Sequence, residues 1–381
     1  MRYFPWKRTT AALAGLALTA TTAGPAAASS PSVPSSSPVV GHVYVDGNTA
    51  GANTVDAFAR HADGTLTPLA GSPFAAGGAG TGATIPSQGS TALTGNGRYL
   101  LVVDAASNQI SVLRVHPDGS LSLRSVTGSG GTGPVSIAIH GHLVYIANAS
   151  TERPNYTGFW LRRGKLTAID GSTVRLPDAS QPGQVLFNST GTNLVGVRVA
   201  SSLIDSFSVG SDGRLTAAAG SPFTAQGAGP FGSSFRPTNP SQLFVSNAHA
   251  GTGNGTVSAF RAASDGTLNS IGSSPFADHQ TAPCWVAITP NGAFLFADNT
   301  GSGSVSRYRI APDGGLTLLG SVSLGTGGSL DLAISFDGRA LYVLLSSTHS
   351  LAEFSLSHDD LTPLGTVALP SGATGAGLQA N

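Results

Sequence analysis

Few side chains in this sequence combine the type and spacing that chemistry needs. Cys284 is the one cysteine, and it follows His279 by five positions. A thiolate nucleophile with an imidazole base would use such a pair if the fold brought them into contact. A lone cysteine more commonly serves as a small buried residue, and that is the role expected here. Asp104, Asn148, Asn247 and Asn299 recur at one position of a repeated unit, which raises the question of calcium. One oxygen per unit leaves the ligands far apart, and Asx residues routinely cap turns, so turn chemistry is expected instead. The nine histidines show no H-x-x-x-H pairing, no G-x-S-x-G elbow occurs, and the glycine run 128–133 lacks a following Lys. No metal or cofactor is expected. There remain Gln88, Ser136, Gln184, Cys284, Trp285 and Asp331, which sit at the starts of equivalent strands. They suit a small polar ligand, with Trp285 as a stacking floor. The other reading is that they fill or cap a channel and hydrogen-bond to ordered water.

The elements that would position them form one module written seven times. Its clearest copy runs Cys284 to Gly292, Phe294 to Asp298, Ser304 to Ile310 and Asp313 to Leu318. This gives four short strands joined by tight turns, with a period of about fifty residues, the pattern of a propeller blade. The last hairpin of each unit is marked by Asp63-Gly64, Asp118-Gly119, Arg163-Gly164, Asp212-Gly213, Asp265-Gly266, Asp313-Gly314 or His358-Asp359. A glycine in such turns supplies positive φ. The phrase Gly71-Ser72-Pro73-Phe74 returns as Gly220-Ser221-Pro222-Phe223 and as Ser273-Ser274-Pro275-Phe276. The first unit lacks an innermost strand, and the tail after Pro370 is long enough to supply it. An all-β, seven-bladed propeller closed by its own C-terminal strand over residues 40–381 is therefore expected. Residues 151–158 are the longest break in the pattern. They predict a surface loop in which Tyr156 offers a contact, while Phe159 and Trp160 pack the following strand.

Composition agrees with strands and turns. There are two Lys (Lys7, Lys165) and two Glu (Glu152, Glu353) against 51 glycines. Arg2, Lys7 and Arg8, the apolar stretch 11–23 and Ala26-Ala27-Ala28 predict a signal peptide over residues 1–28, cut after Ala28, with a Ser/Pro spacer over 29–39. Loss of those three cations leaves 16 basic against 19 acidic residues. An extracellular location follows, with a small molecule or an extracellular protein as the expected partner. No basic run or aromatic–Arg alternation is visible, so nucleic acid is not expected. No second apolar stretch approaches the roughly 20 residues of a spanning helix. A monomer held by its core and by ring closure, without a disulfide, is expected.

Two recurring phrases carry a family resemblance. One is Phe294-Leu295-Phe296-Ala297-Asp298-Asn299 with Val305-Ser306-Arg307-Tyr308; the other is Leu243-Phe244-Val245-Ser246-Asn247 with Val257-Ser258-Ala259-Phe260. The chain resembles the seven-bladed lactonase propellers, which include bacterial phosphogluconolactonases and fungal carboxymuconate cyclases. The resemblance implies hydrolysis or formation of a small lactone at the channel mouth. Enzymatic members carry His, Arg and Glu on the inner strands. This chain has Ser90, Ser136, Gln184, Gly232, Trp285 and Asp331 there, so no catalytic residue is carried over. Asp331 is the candidate base and Gln184 a polar clamp. A non-enzymatic scaffold that binds a ligand or protein on one face is the alternative. Clustered cations or a phosphate loop are not visible, which disfavours a phosphorylated lactone.

Overall fold

Seven antiparallel sheets stand in a ring in a computed structural model that describes residues 37–325 and 327–381. The proposed signal peptide and most of the spacer lie outside the described residues. Each sheet has four strand positions in sequence order from the axis outwards, except the first, and in four sheets the outermost position is split into two short strands. The innermost strands are Gly377–Ala380 in blade 1, Thr91–Leu93 in blade 2, Pro134–His140 in blade 3 and Pro182–Phe187 in blade 4. Pro230–Arg236, Pro283–Ile288 and Ser329–Ile334 serve blades 5, 6 and 7. Proline opens four of these strands, the position at which a missing ladder N–H is least harmful. One 3-10 turn, Ser346–Thr348, is the helical element among the described residues.

The tail closes the ring as expected. Gly377–Ala380 pairs antiparallel with Val39–Asp46, Leu378 opposite Val45. Arg60 fastens the end by donating to the Asn381 carbonyl (2.8 Å) and to Asp337 of blade 7 (3.0 Å). Ser371 donates its backbone N–H and its hydroxyl to Asp56. Gly377 is required here, because a Cβ would stand 2.1 Å from the Ser90 hydroxyl.

Two devices recur between and within blades. The tyrosine of the second strand reaches the glycine carbonyl in the last hairpin of the next blade. Tyr44 donates to Gly119 O (3.0 Å), Tyr145 to Gly213 O (2.8 Å) and Tyr342 to Gly64 O (2.9 Å). The Ser-Pro-Phe phrase interrupts the outer strand, and its serine oxygen replaces the lost ladder acceptor. Ser72 Oγ accepts from Ala57 N, Ser221 Oγ from Ser206 N and Ser274 Oγ from Ala259 N. The phenylalanine then resumes pairing in Phe74–Ala75, Phe223–Thr224 and Phe276–Ala277.

Two expectations need correction. Residues 155–162 form a strand, Asn155–Arg162, not a loop. Tyr156 is wholly buried and donates to Asp205 (3.1 Å); Phe159 is buried, as expected. The repeated Asx residues do not cap turns. They lie buried at the end of the second strand and bond across to the third: Asp104 accepts from Ser111 (2.6 Å), and Asn299 donates to Ser306 (2.9 Å).

Candidate functional site

The inner strands enclose a cavity of about 350 Å³ on the axis, lined by residues of all seven blades. Leu93, Ile139, Phe187, Ile288 and Ile334 contribute its apolar wall. Small residues between them, such as Ala92, Ala138, Ala287 and Ala333, keep the space open. Successive side chains along each strand alternate between the two faces of its blade, so both neighbours border the hollow where the strands converge. The polar lining comes from Gln88, Thr91, Gln184, Ser233, Ser234, Asp331 and Gln379.

At the end where the inner strands begin, the chain itself crosses the axis. The inner strand of blade 2 is short because the preceding residues leave the ring. Gln88 N donates to Gly183 O of blade 4 (3.0 Å). Its side chain spans to blade 6, donating to Val286 O (2.8 Å) and accepting from Val286 N (3.2 Å). Gly232 of blade 5 leaves the room, since a Cβ there would stand 2.2 Å from Gln88 Oε1. The Trp285 indole N–H, also of blade 6, donates to Ser87 O (2.9 Å).

The six candidate residues thus divide. Gln88, Gln184 and Asp331 meet at the cavity. Ser136, Cys284 and Trp285 are buried outside its lining. Ser136 Oγ accepts from Val185 N of blade 4 (3.1 Å). Trp285 is buried and forms a T-shaped pair with Phe231, ring centres 5.2 Å apart, so its face is not offered to a ligand. Burial pushes the Cys284 thiol up to about 12, against a hydrogen bond from Thr300. His279 lies exposed on the preceding loop and forms no hydrogen bond with it.

Gln184 Oε1 accepts from Ser233 N (2.5 Å) and Ser233 Oγ (2.8 Å), joining blades 4 and 5. Asp331 accepts from Leu332 N (2.9 Å) through one oxygen and from Leu378 N (2.9 Å) through the other, joining blade 7 to the closing strand. Burial drives its carboxyl well above the usual range, and Asp298 nearby adds to this; the two backbone N–H groups oppose it. No Arg, Lys or His lines the cavity among the described residues. Sequence reasoning missed Gln379, Ser233 and Ser234. The signal for Gln379 was present, since docking of the tail places it on an inner strand. It donates to Thr91 O (3.2 Å).

Residues 235–331 match the family model described as "Lactonase, 7-bladed beta-propeller". The resemblance to the seven-bladed lactonases holds. A putative 6-phosphogluconolactonase from Bacteroides fragilis superposes with a TM-score of 0.72 at 20% identity, covering 92% of this chain and 100% of that one. Its counterpart from Bacteroides uniformis gives 0.73 at 19%, with 90% and 99% covered. The periplasmic gluconolactonase PpgL of Pseudomonas aeruginosa gives 0.69 at 18%, with 89% and 98% covered. At these identities the likeness is one of fold. No curated protein matches the chain.

Proposed function

We propose that this chain is an exported, lactonase-like propeller that binds a small uncharged ring, a lactone or related hydroxylated molecule, in the axial cavity. The observation that carries this reading is the character of the polar lining. It consists of carboxamides, hydroxyls and one carboxyl that burial holds far above its usual range. Such groups pair with hydroxyl and carbonyl oxygens, and the branched side chains cover the apolar faces of a ring. A phosphate or free carboxylate entering the cavity would lose its hydration and meet no cation. Both Asp331 oxygens already hold backbone N–H groups, which supports binding over turnover. A signal peptide ending at Ala28 would put the cavity where unphosphorylated sugar lactones are met.

A lactone hydrolase with Asp331 as proton donor and acceptor is the second reading. It is favoured by one observation: a carboxyl on the cavity wall whose proton affinity burial raises well above the usual carboxyl range suits general acid–base work.

Calorimetry and thermal melting with glucono-δ-lactone, its 6-phosphate and neutral γ-lactones test both readings. The neutral lactones are expected to bind and to raise the melting temperature, and the phosphate to leave it unchanged. Tight binding of the phosphate, or silence of every neutral lactone, rejects the proposal. Hydrolysis above the spontaneous rate that disappears in Asp331→Asn while binding persists would select the second reading. Gln184→Leu, which keeps Asp331 intact, should weaken binding on its own.

A further inference from the structure

Blades 2 and 3 gather cations that nothing in the fold uses. Arg98, Arg114, Arg124 and Arg163 are exposed, and none pairs with a described residue. Elsewhere Arg60, Arg198, Arg214 and Arg307 each hold a carboxylate. Arg175, Arg309 and Arg339 are likewise exposed without a carboxylate, but Arg98, Arg114 and Arg163 line two cavities that share Tyr99. The cations come from different hairpins, which is why no basic run marks them in the sequence.

The fold brings them to one surface, on the side of the ring that carries the hairpin turns. Tyr99 lines two cavities there. One, of about 350 Å³ between blades 1 and 2, is bounded by His42, Arg98, Arg114 and His116, with Asn381, whose carbonyl Arg60 holds. The other, of about 340 Å³ between blades 2 and 3, is bounded by His142 and Arg163. The two blades are fastened where these cavities meet. Ser125 Oγ donates to Gly164 O (2.9 Å), and Gly164 lies against the Tyr99 ring and the Arg124 stem. Beside the first cavity, Asp118 is engaged by Ser120 (2.7 Å) and faces His42.

We infer that this surface binds an acidic polysaccharide, an extended chain of sugar rings bearing carboxylates. Successive carboxylates would sit on Arg98 and Arg114 to one side and on Arg163 to the other, while the ring of Tyr99 supports the sugar between them. A single-stranded nucleic acid would seek the same charge, but it stacks on a series of aromatic faces. Tyr99 is the one Phe, Tyr or Trp ring bounding these cavities, the other rings being the imidazoles of His42, His116 and His142. The inference is independent of the axial ligand.

The test titrates the full chain with polygalacturonate, neutral dextran, polyphosphate and single-stranded DNA at low and high salt. Polygalacturonate should bind at low salt and weaken as salt screens the contacts, and dextran should be silent. Replacing Arg98, Arg114 and Arg163 together by Gln should cost about tenfold in affinity. The charge-matched set Arg175→Gln, Arg309→Gln and Arg339→Gln should cost less than about twofold if the effect is local. Tyr99→Leu should weaken polygalacturonate and spare polyphosphate. Melting curves identify any variant that fails to fold, and the single variants Arg98→Gln and Arg163→Gln then carry the comparison against the charge-matched set. Equal losses in the two triple variants, no binding of polygalacturonate, or tighter binding of DNA would each overturn the inference.

Discussion

Asp331 and Cys284 show how backbone geometry overrules the chemistry that a residue type suggests. Each sits near the start of an inner strand, where a carboxylate or thiol reads as reactive. Asp331 instead spends both oxygens on N–H groups of its own strand and of the closing strand. Cys284 is packed among the blades beside Trp285 and Phe231. Its thiol is pushed up to about 12 chiefly by burial, so thiolate is scarce at neutral pH and no neighbouring cation restores it. The native protein should therefore react with a thiol-specific disulfide reagent at least about a hundredfold more slowly than the unfolded chain. Fast labelling of the folded protein would show that the site opens and would return Cys284 to the list of nucleophiles. The sequence placed Gln88, Gln184 and Asp331 at the axis because strand period and repeat register are local properties. It did not distinguish them from Ser136 and Trp285, because that depends on neighbours far away in the chain. The Trp285 indole turns to Ser87, 198 residues distant in sequence.

At the scale of the element, the readable features are those that a turn or strand dictates by itself. Gly64, Gly119, Gly164, Gly213, Gly266 and Gly314 all adopt the positive φ that the hairpin phrase implied. The clasp from Tyr44, Tyr145 and Tyr342 to the next blade was not legible, since it joins residues in different repeats. Tyr342 crosses the seam between blade 7 and blade 1, where the ring is sealed by a strand from the far end of the chain. Its hydroxyl is buried and its bond to Gly64 O is 2.9 Å. Tyr342→Phe removes the donor and leaves a buried carbonyl unmet, which should cost about 1–3 kcal/mol. Tyr145→Phe, at 2.8 Å, should cost a similar amount. Tyr308→Phe loses a longer bond of 3.3 Å to Ala277 O and should cost less. Urea unfolding of the three variants gives the ranking. If Tyr308→Phe proves the most damaging, the clasps are not what holds neighbouring blades in register.

For the whole molecule, ring closure has an electrostatic consequence. A seven-bladed ring buries its inter-blade contacts deeply, and several carboxyl groups go with them. Burial raises Asp46 to about 8, Asp298 to about 7 and Glu353 to about 7. Asp46 receives N–H groups from Asn48 and Asn53, and Glu353 one from Leu66 (2.7 Å). These bonds soften the shift without reversing it. Between the ordinary carboxyl range and about pH 8 the folded state therefore holds more protons than the unfolded chain. Stability must fall with rising pH across that window, because the unfolded chain gains by ionising first. Below it the opposite term appears. Asp118 is held under the usual range by the Ser120 hydroxyl, Asp212 by the Arg214 backbone N–H and Asp265 by the Thr267 backbone N–H. Their contributions are present above the ordinary carboxyl range and vanish as pH drops through the lowered values. The two trends place the stability maximum at mildly acid pH, about 4–5. Melting temperature should decline by several degrees between pH 5 and pH 8, on the order of 5 °C for a chain of this size. Asp46→Asn, which keeps the shape of the protonated acid, should remove part of that slope. A melting temperature that is flat or rising over this range would mean that these carboxyls reach water in the folded ring.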